Sequence, residues 1–284
     1  MPLLALVAIL LAALCHASWN LAAKRAADCR YFVWIYSLIA VVIWLPVVIW
    51  VFSATHPVFG APQYFALIGT AVLHLGYSLS LQAGYRAADL SVVYPVARGL
   101  GPVLSFVGAA IFLHEKPGIT SITGLLLVIT GIVLVTGLLH KGRQLSVSGL
   151  SWGVVTGTFI ASYTLNDGYA VKVLMLHPLV VDITGNIFRV LVLSPGAISN
   201  HDRAFTEIKQ YWRPAMMVSV LGTIGYVLVL FAMKIAPVSH IAPARELSML
   251  VGTYLGARVL KEAVTTERVI GAACIVGGVV TLAF

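Results

Sequence analysis

Ten apolar runs, each close to the length of a bilayer crossing, fill this chain and leave almost nothing between them. They cover residues 3–23, 32–53, 64–85, 89–113, 119–139, 148–171, 178–198, 214–234, 238–260 and 266–284. A hydrocarbon core is crossed by about 20 residues of helix. Only helices and closed barrels satisfy their backbone groups in lipid. Charged residues make up 10% of the chain, against about 25% in soluble domains, so no water-facing surface can be dressed. The gaps are short, and the longest, from about Ser199 to Arg213, is polar and reads as a loop. The first run has no positive leader and no A-x-A-like cleavage site, so it reads as a retained helix.

The net charge of +8 does not point to nucleic acid, because the basic residues sit in the gaps and form no patch interleaved with aromatics. Cys15, Cys29 and Cys274 have neither metal-ligand spacing nor the look of a disulfide framework. No cofactor and no metal are implied.

The halves of the chain repeat. Arg98 and Arg245 are 147 positions apart, and so are Glu115 and Glu262, Gly124 and Gly271, and Gly131 and Gly278. "FLHEKPGITSITGLLLVITGI" therefore aligns without a gap against "VLKEAVTTERVIGAACIVGGV". Each copy, residues 1–140 and 141–284, holds five runs. An odd number makes the second copy cross in the opposite sense, an arrangement common among secondary transporters. The fold class is an all-α integral membrane protein of ten transmembrane helices, two inverted five-helix repeats around a central cavity.

Both copies carry an arginine with prolines in the fourth run, then "LHE" or "LKE", then a final run with glycines seven apart. With "HASWNLAAK" in the first run, this order resembles the EamA-type family of the drug/metabolite transporter superfamily, over the whole chain. The resemblance implies a ten-helix basket, with the first four helices of each half around the cavity and the fifth and tenth at the periphery. It also implies a multi-pass protein of a bacterial plasma membrane, exporting metabolites such as amino acids and working as a monomer. One departure is plain. Small multidrug members of the superfamily carry a glutamate in the first span, and residues 1–23 here hold no carboxylate.

A charge at bilayer depth costs about 2.5–3.5 kcal/mol even on lenient scales. Arg98 lies between Pro95 and Pro102, and Pro237 and Pro243 precede Arg245. Helices broken at matching places in two halves mark a transporter site, so Pro95, Pro102 and Pro243 are expected to break theirs. A cavity guanidinium suits a carboxylate. The bland alternatives are that Arg98 snorkels or pairs locally and that Arg245 neutralises Glu246.

His74, Tyr77, Ser78, Gln82 and Tyr85 recur at helical steps along the third run, making one polar stripe. Such a stripe suits an amphipathic substrate or hydrogen bonding between helices. His16, Trp19 and Asn20 repeat the idea in the first run, where Trp19 also fits an interfacial anchor. Tyr163, Asn166 and Asp167 stand near their counterparts in the sixth. Asp167 can titrate with substrate, or form a salt bridge with Lys172 or Arg189. Tyr94, Tyr226 and Ser248 complete the candidate lining, with Tyr226 open to a packing role. Asp182, Asn186 and Arg189, at i, i+4 and i+7, read as a self-contained network. Glu115 and Glu262 read as helix-end structure, and the paired glycines as contacts within the chain.

Basic residues number eleven in the odd-numbered gaps and three in the even-numbered ones. This bias places the odd gaps in the cytoplasm, whereas the resemblance implies the reverse. The function expected is export of small metabolites, foremost amino acids with apolar or aromatic side chains; export of drugs or other metabolites is the alternative. No H-E-x-x-H, G-x-S-x-G or paired-aspartate motif supports an intramembrane enzyme.

Overall fold

The computed structural model describes residues 1–26, 28–87, 90–137, 146–251 and 265–284, with all their side chains except those of Lys24, Tyr85, Arg86, Leu90 and Ser91. The described residues form helices and short connections, with no strand among them. In order these are α1 (Leu3–Lys24), α2 (Phe32–Thr55), α3 (Ala61–Ala87), α4 (Leu90–Phe112), α5 (Ile119–Thr136), α6 (Val147–Lys172) and α7 (Pro178–Ser199). They continue with α8 (His201–Ile235), α9 (Val238–Ala244) and α10 (Thr266–Ala283). Among them α1 to α5, α7, α8 and α10 are long and apolar enough to cross a membrane. α6 is as long, but Thr156, Thr164, Asn166 and Asp167 dilute its apolar character; three of these are fully buried against neighbouring helices.

The helix ends follow local chemistry. Ser146 Oγ accepts from Gly149 N–H at 3.0 Å to cap α6. Pro178 opens α7, where its missing N–H costs nothing. Gly137, at φ 61°, closes α5 in the left-handed region.

The segment around Ser199–Arg213 is a helix and not the expected loop. α8 runs 35 residues without a break, about 52 Å at 1.5 Å per residue against a hydrocarbon core of about 30 Å. The excess is about four turns, matching its polar start up to Pro214. No breaker occurs before Pro214, and Arg203 Nε binds Glu207 Oε1 one turn on at 2.9 Å. The other oxygen of Glu207 accepts from Tyr31 N–H at 2.9 Å and from the Cys29 thiol at 3.1 Å, tying this projection to the α1–α2 loop. Burial and the neighbouring carboxylate push the Cys29 thiol up to about 12.

The glycine pairs fix the symmetry. A Cβ on Gly131 would lie 2.5 Å from the Gly271 carbonyl oxygen, and one on Gly278 would lie 2.7 Å from that of Gly124. Gly124 corresponds to Gly271, and Gly131 to Gly278. The Gly131–Gly271 contact is therefore the counterpart of the Gly278–Gly124 contact, the mark of a two-fold axis. α5 and α10 run antiparallel along this contact, so the repeats are inverted. The same axis relates the packing of α1 on α8 to that of α6 on α3.

Candidate substrate site at the repeat interface

The two arginines meet across the repeat boundary. Arg98, from the middle of α4, places a guanidinium nitrogen 2.9 Å from Glu246 Oε2 and donates to Ser248 Oγ at 3.0 Å. Its guanidinium also lies 5.9 Å from the Tyr94 ring centroid. Glu246 is 4% exposed, so this ion pair is buried.

α4 runs unbroken through Pro95 and Pro102, contrary to the expected break. Each proline removes one rung, and the remaining hydrogen-bond ladder holds. The break occurs in the other copy. α9 stops at Ala244, Arg245 and Glu246 form a turn, and helix resumes over 247–251. Tighter bonds carry the chain round this turn, from Ser248 N–H to the Arg245 carbonyl and from Met249 N–H to that of Glu246. Pro243, three residues before Glu246, has no N–H to donate.

Arg245 does not neutralise its neighbour. It donates to Thr164 Oγ1 at 3.4 Å and lies 6.0 Å from the Tyr163 ring centroid and 5.7 Å from that of Tyr226. Among the described residues it forms no salt bridge.

Behind those rings sits an acid. Asp167 is fully buried, with Oδ2 2.9 Å from His74 Nε2 and accepting a hydrogen bond from the Tyr226 hydroxyl. Its Oδ1 accepts from Asn166 Nδ2 at 3.0 Å, and Asn166 is itself anchored to the Ala66 carbonyl and Thr70 on α3. His74 stacks on Tyr163 at 4.2 Å, and Tyr77 meets the edge of Tyr163 at 5.6 Å. Neither Lys172 nor Arg189 reaches Asp167. Lys172 binds Glu115, and Arg189 binds Asn186, which binds Asp182. Asp182, Asn186 and Arg189 thus form the expected network, joined by Thr223.

A small cavity of about 10 Å³ opens beside these groups, lined by Ile9, Ala12, Ala13, His16, Arg98, Val229 and Arg245. A space of that size holds about one water molecule, so any larger guest enters only if the helices part.

The structure therefore brings together His16, His74, Tyr77, Tyr94, Arg98, Tyr163, Asp167, Tyr226, Arg245 and Ser248. Trp19 stands at the rim, edge-on to His16 at 5.4 Å. Asn20 is not part of the cluster: it is exposed and donates to the His16 carbonyl of its own helix. Ser78 likewise spends its hydroxyl on the His74 carbonyl. Gln82 lies half-buried about two turns along α3 from His74. The Tyr85 side chain and Glu262 fall outside the described residues. Two partners escaped the sequence reading. Glu246 was legible as the neighbour of Arg245 and as an acid open to ion coupling, not as the partner of Arg98, and Thr164 carried no signal beyond polarity.

Two inverted helical repeats in a membrane, with buried polar groups and a broken helix at their interface, have the architecture of a secondary transporter. The chain matches the EamA-like transporter family over residues 3–137 and 147–284, and it belongs to that family. A solved crystal structure shares the fold, with a TM-score of 0.70 at 15% identity, over 99% of this chain and 97% of the other. Among curated proteins none matches the sequence.

Proposed function

We propose that this protein exports amino acids and similar amphipathic metabolites across a bacterial plasma membrane by alternating access. The observation that carries this reading is Arg245, a half-buried guanidinium that lines a cavity and forms no salt bridge with a carboxylate among the described residues. A buried cation without a partner is expensive, and a substrate carboxylate supplies the missing charge and two hydrogen bonds. Tyr163 and Tyr226 wall the place where the rest of such a substrate lies, and rings of this kind suit apolar or aromatic side chains. Cationic drugs fit poorly beside two guanidinium groups.

The halves, residues 1–140 and 141–284, rock about the interface as a single chain working as a monomer. Motion of one repeat against the other opens the site to either side in turn. The test is counterflow in liposomes holding the purified chain, preloaded with one unlabelled solute and offered the labelled form outside. Amino acids are expected to exchange, and organic cations and nucleosides are not. A panel in which only the cations exchange overturns the reading.

A further inference from the structure

We infer that the small cavity at Arg98, Arg245 and His16 is a binding site for one inorganic anion of chloride's size, and that this anion gives way to the substrate's carboxylate. The second clause rests on the transport reading above; the anion site itself does not.

The cavity wall is mixed. Ile9, Ala12, Ala13 and Val229 are apolar, and the remainder is two guanidinium groups and an imidazole. The charges there do not balance. Arg98 has Glu246 at 2.9 Å, whereas Arg245 has no salt-bridge partner among the described residues. The next acid, Asp167, is engaged by His74, Tyr226 and Asn166. One positive charge is left facing the cavity, where apolar neighbours screen it poorly.

Hydrogen-bond donors are left over as well. Arg245 gives one N–H to Thr164 at a long 3.4 Å, out of the several a guanidinium carries. Nε of Arg98 is buried and has no hydrogen-bond partner, which is costly for any donor. His16 carries at least one ring N–H in either tautomer. Three side chains from three parts of the chain thus bring spare N–H groups to one small space.

Size then chooses the guest. A space of about 10 Å³ admits a single particle of about water's size. Water fits but brings no charge, and polyatomic anions need the helices to part. Chloride is a sphere somewhat larger than water, and it accepts N–H groups from several directions at once. The long Thr164 contact leaves Arg245 free to shift by the small difference in radius. Chloride is therefore the resting counter-ion of Arg245. A substrate carboxylate brings the same charge and two hydrogen bonds, so the two exclude each other. Chloride favours the closed helices that fit it, and the larger guest favours parted ones.

The experiment uses the full chain in detergent, with sodium chloride exchanged for sodium methanesulfonate at constant ionic strength. Chloride at about ten times its dissociation constant is expected to raise the unfolding midpoint by about 3–6 °C, and the rise follows a single-site curve. Bromide is expected to act likewise, and the bulkier sulfonate is not. Radioactive chloride is expected to bind at one per chain, and an amino acid that exchanges in the counterflow assay to release it. Arg245→Gln is expected to lose both responses while unfolding near the wild-type midpoint in methanesulfonate. Should that variant fail to fold, the chloride binding of the wild type decides. No chloride-specific stabilisation and no saturable binding overturn the anion site and leave the transport reading standing. Binding that survives Arg245→Gln places the ion elsewhere and overturns the site too. Chloride that stays bound while a counterflow substrate saturates the chain overturns the competition. Failure of every amino acid to exchange removes the transport reading, and chloride binding that is lost in Arg245→Gln still supports the anion site.

Discussion

α4 and α9 are counterparts in the two halves of a duplicated chain, yet they treat their arginines differently. α4 is a continuous helix, and its Arg98 is held by Glu246 and Ser248, both from the other repeat. α9 ends after seven residues, and its Arg245 finds a hydroxyl and two rings. The difference comes down to one acid. Glu246 stands in the second copy where the first copy has Gly99. The pair of repeats thus has two half-buried arginines and one glutamate between them, and the glutamate has gone to the other copy's arginine. Two equivalent cations share one fixed anion, and on the proposed function the unpaired cation is the place for a mobile one.

This asymmetry separates stability from function, and it can be broken at Glu246. Glu246→Gln leaves Arg98 as an uncompensated buried charge, expected to cost about 3–5 kcal/mol. Thermal unfolding in detergent should register it as a large fall in midpoint. Replacing both partners, Arg98→Met with Glu246→Met, should recover most of the loss, since an apolar pair of similar volume often matches a buried ion pair. The same reasoning makes Arg98→Ala primarily a stability variant. A double variant no better than the single one would mean that the pair does more than neutralise itself.

Arg245→Gln should behave in the opposite way. It removes a charge with no salt-bridge partner among the described residues and gives up only a long hydrogen bond to Thr164 and two ring contacts, so the unfolding midpoint should change little. Counterflow should fall by about 10–100-fold, the loss of a charged hydrogen bond worth about 1.5–3 kcal/mol. Equal losses of stability from Arg245→Gln and Glu246→Gln would erase the distinction between the two arginines.

How far the sequence foretold this depends on what the physics penalises. Lipid penalises every exposed charge, so ten apolar runs and their duplication could be read directly. For the same reason Arg98, His74, Asp167 and Arg245 stood out as polar groups requiring a partner. Which partner each found could not be read, because Arg98–Glu246 and His74–Asp167 are tertiary contacts 148 and 93 residues apart. Proline gave half an answer. It removes one hydrogen bond wherever it falls, but the helix breaks only where packing favours a turn, after Pro243 and not at Pro95 or Pro102. Asn20 shared a helical face with His16, yet an amide can bond to its own helix and then turn outward. The projecting start of α8 was hidden because polar residues signal water, and water accepts a helix as readily as a loop.

The symmetric part of the molecule supplies a control. In the α5/α10 seam the Gly131–Gly271 and Gly278–Gly124 contacts are counterparts of each other, so equivalent substitutions should cost the same. A Cβ on Gly131 or on Gly278 meets backbone within 2.5–2.7 Å, and backbone cannot step aside. Gly131→Val and Gly278→Val are each expected to cost about 1–3 kcal/mol by overpacking, with matching shifts in unfolding midpoint. Two values far apart would show that the seam, like the arginines, has lost its symmetry, and the asymmetry at Glu246 would then be nothing special.

The smallest effect lies at the end of the bundle where the repeats are tied together. Glu115, from the loop after α4, accepts from Val238 N–H at 2.8 Å and Ser239 N–H at 2.9 Å at the start of α9. It also pairs with Lys172 at 3.0 Å. Burial alone would raise its pKa, but the hydrogen bonds from Ser239, Lys172 and Val238 hold it below the ordinary carboxylate value of 4.5. A native value below the unfolded one means that the ionised carboxylate stabilises the fold. That contribution is complete above pH 4.5 and is lost as the pH falls through the lowered native value. Glu115→Gln keeps an acceptor and loses the charge, at an expected cost of about 1 kcal/mol. The gap between wild type and variant, followed by thermal unfolding, should be constant at neutral pH and close in acid. A gap that widens in acid would mean that the side chain is held protonated, and the tie between repeats would then rest on Lys172 and its bond to the Ala236 carbonyl.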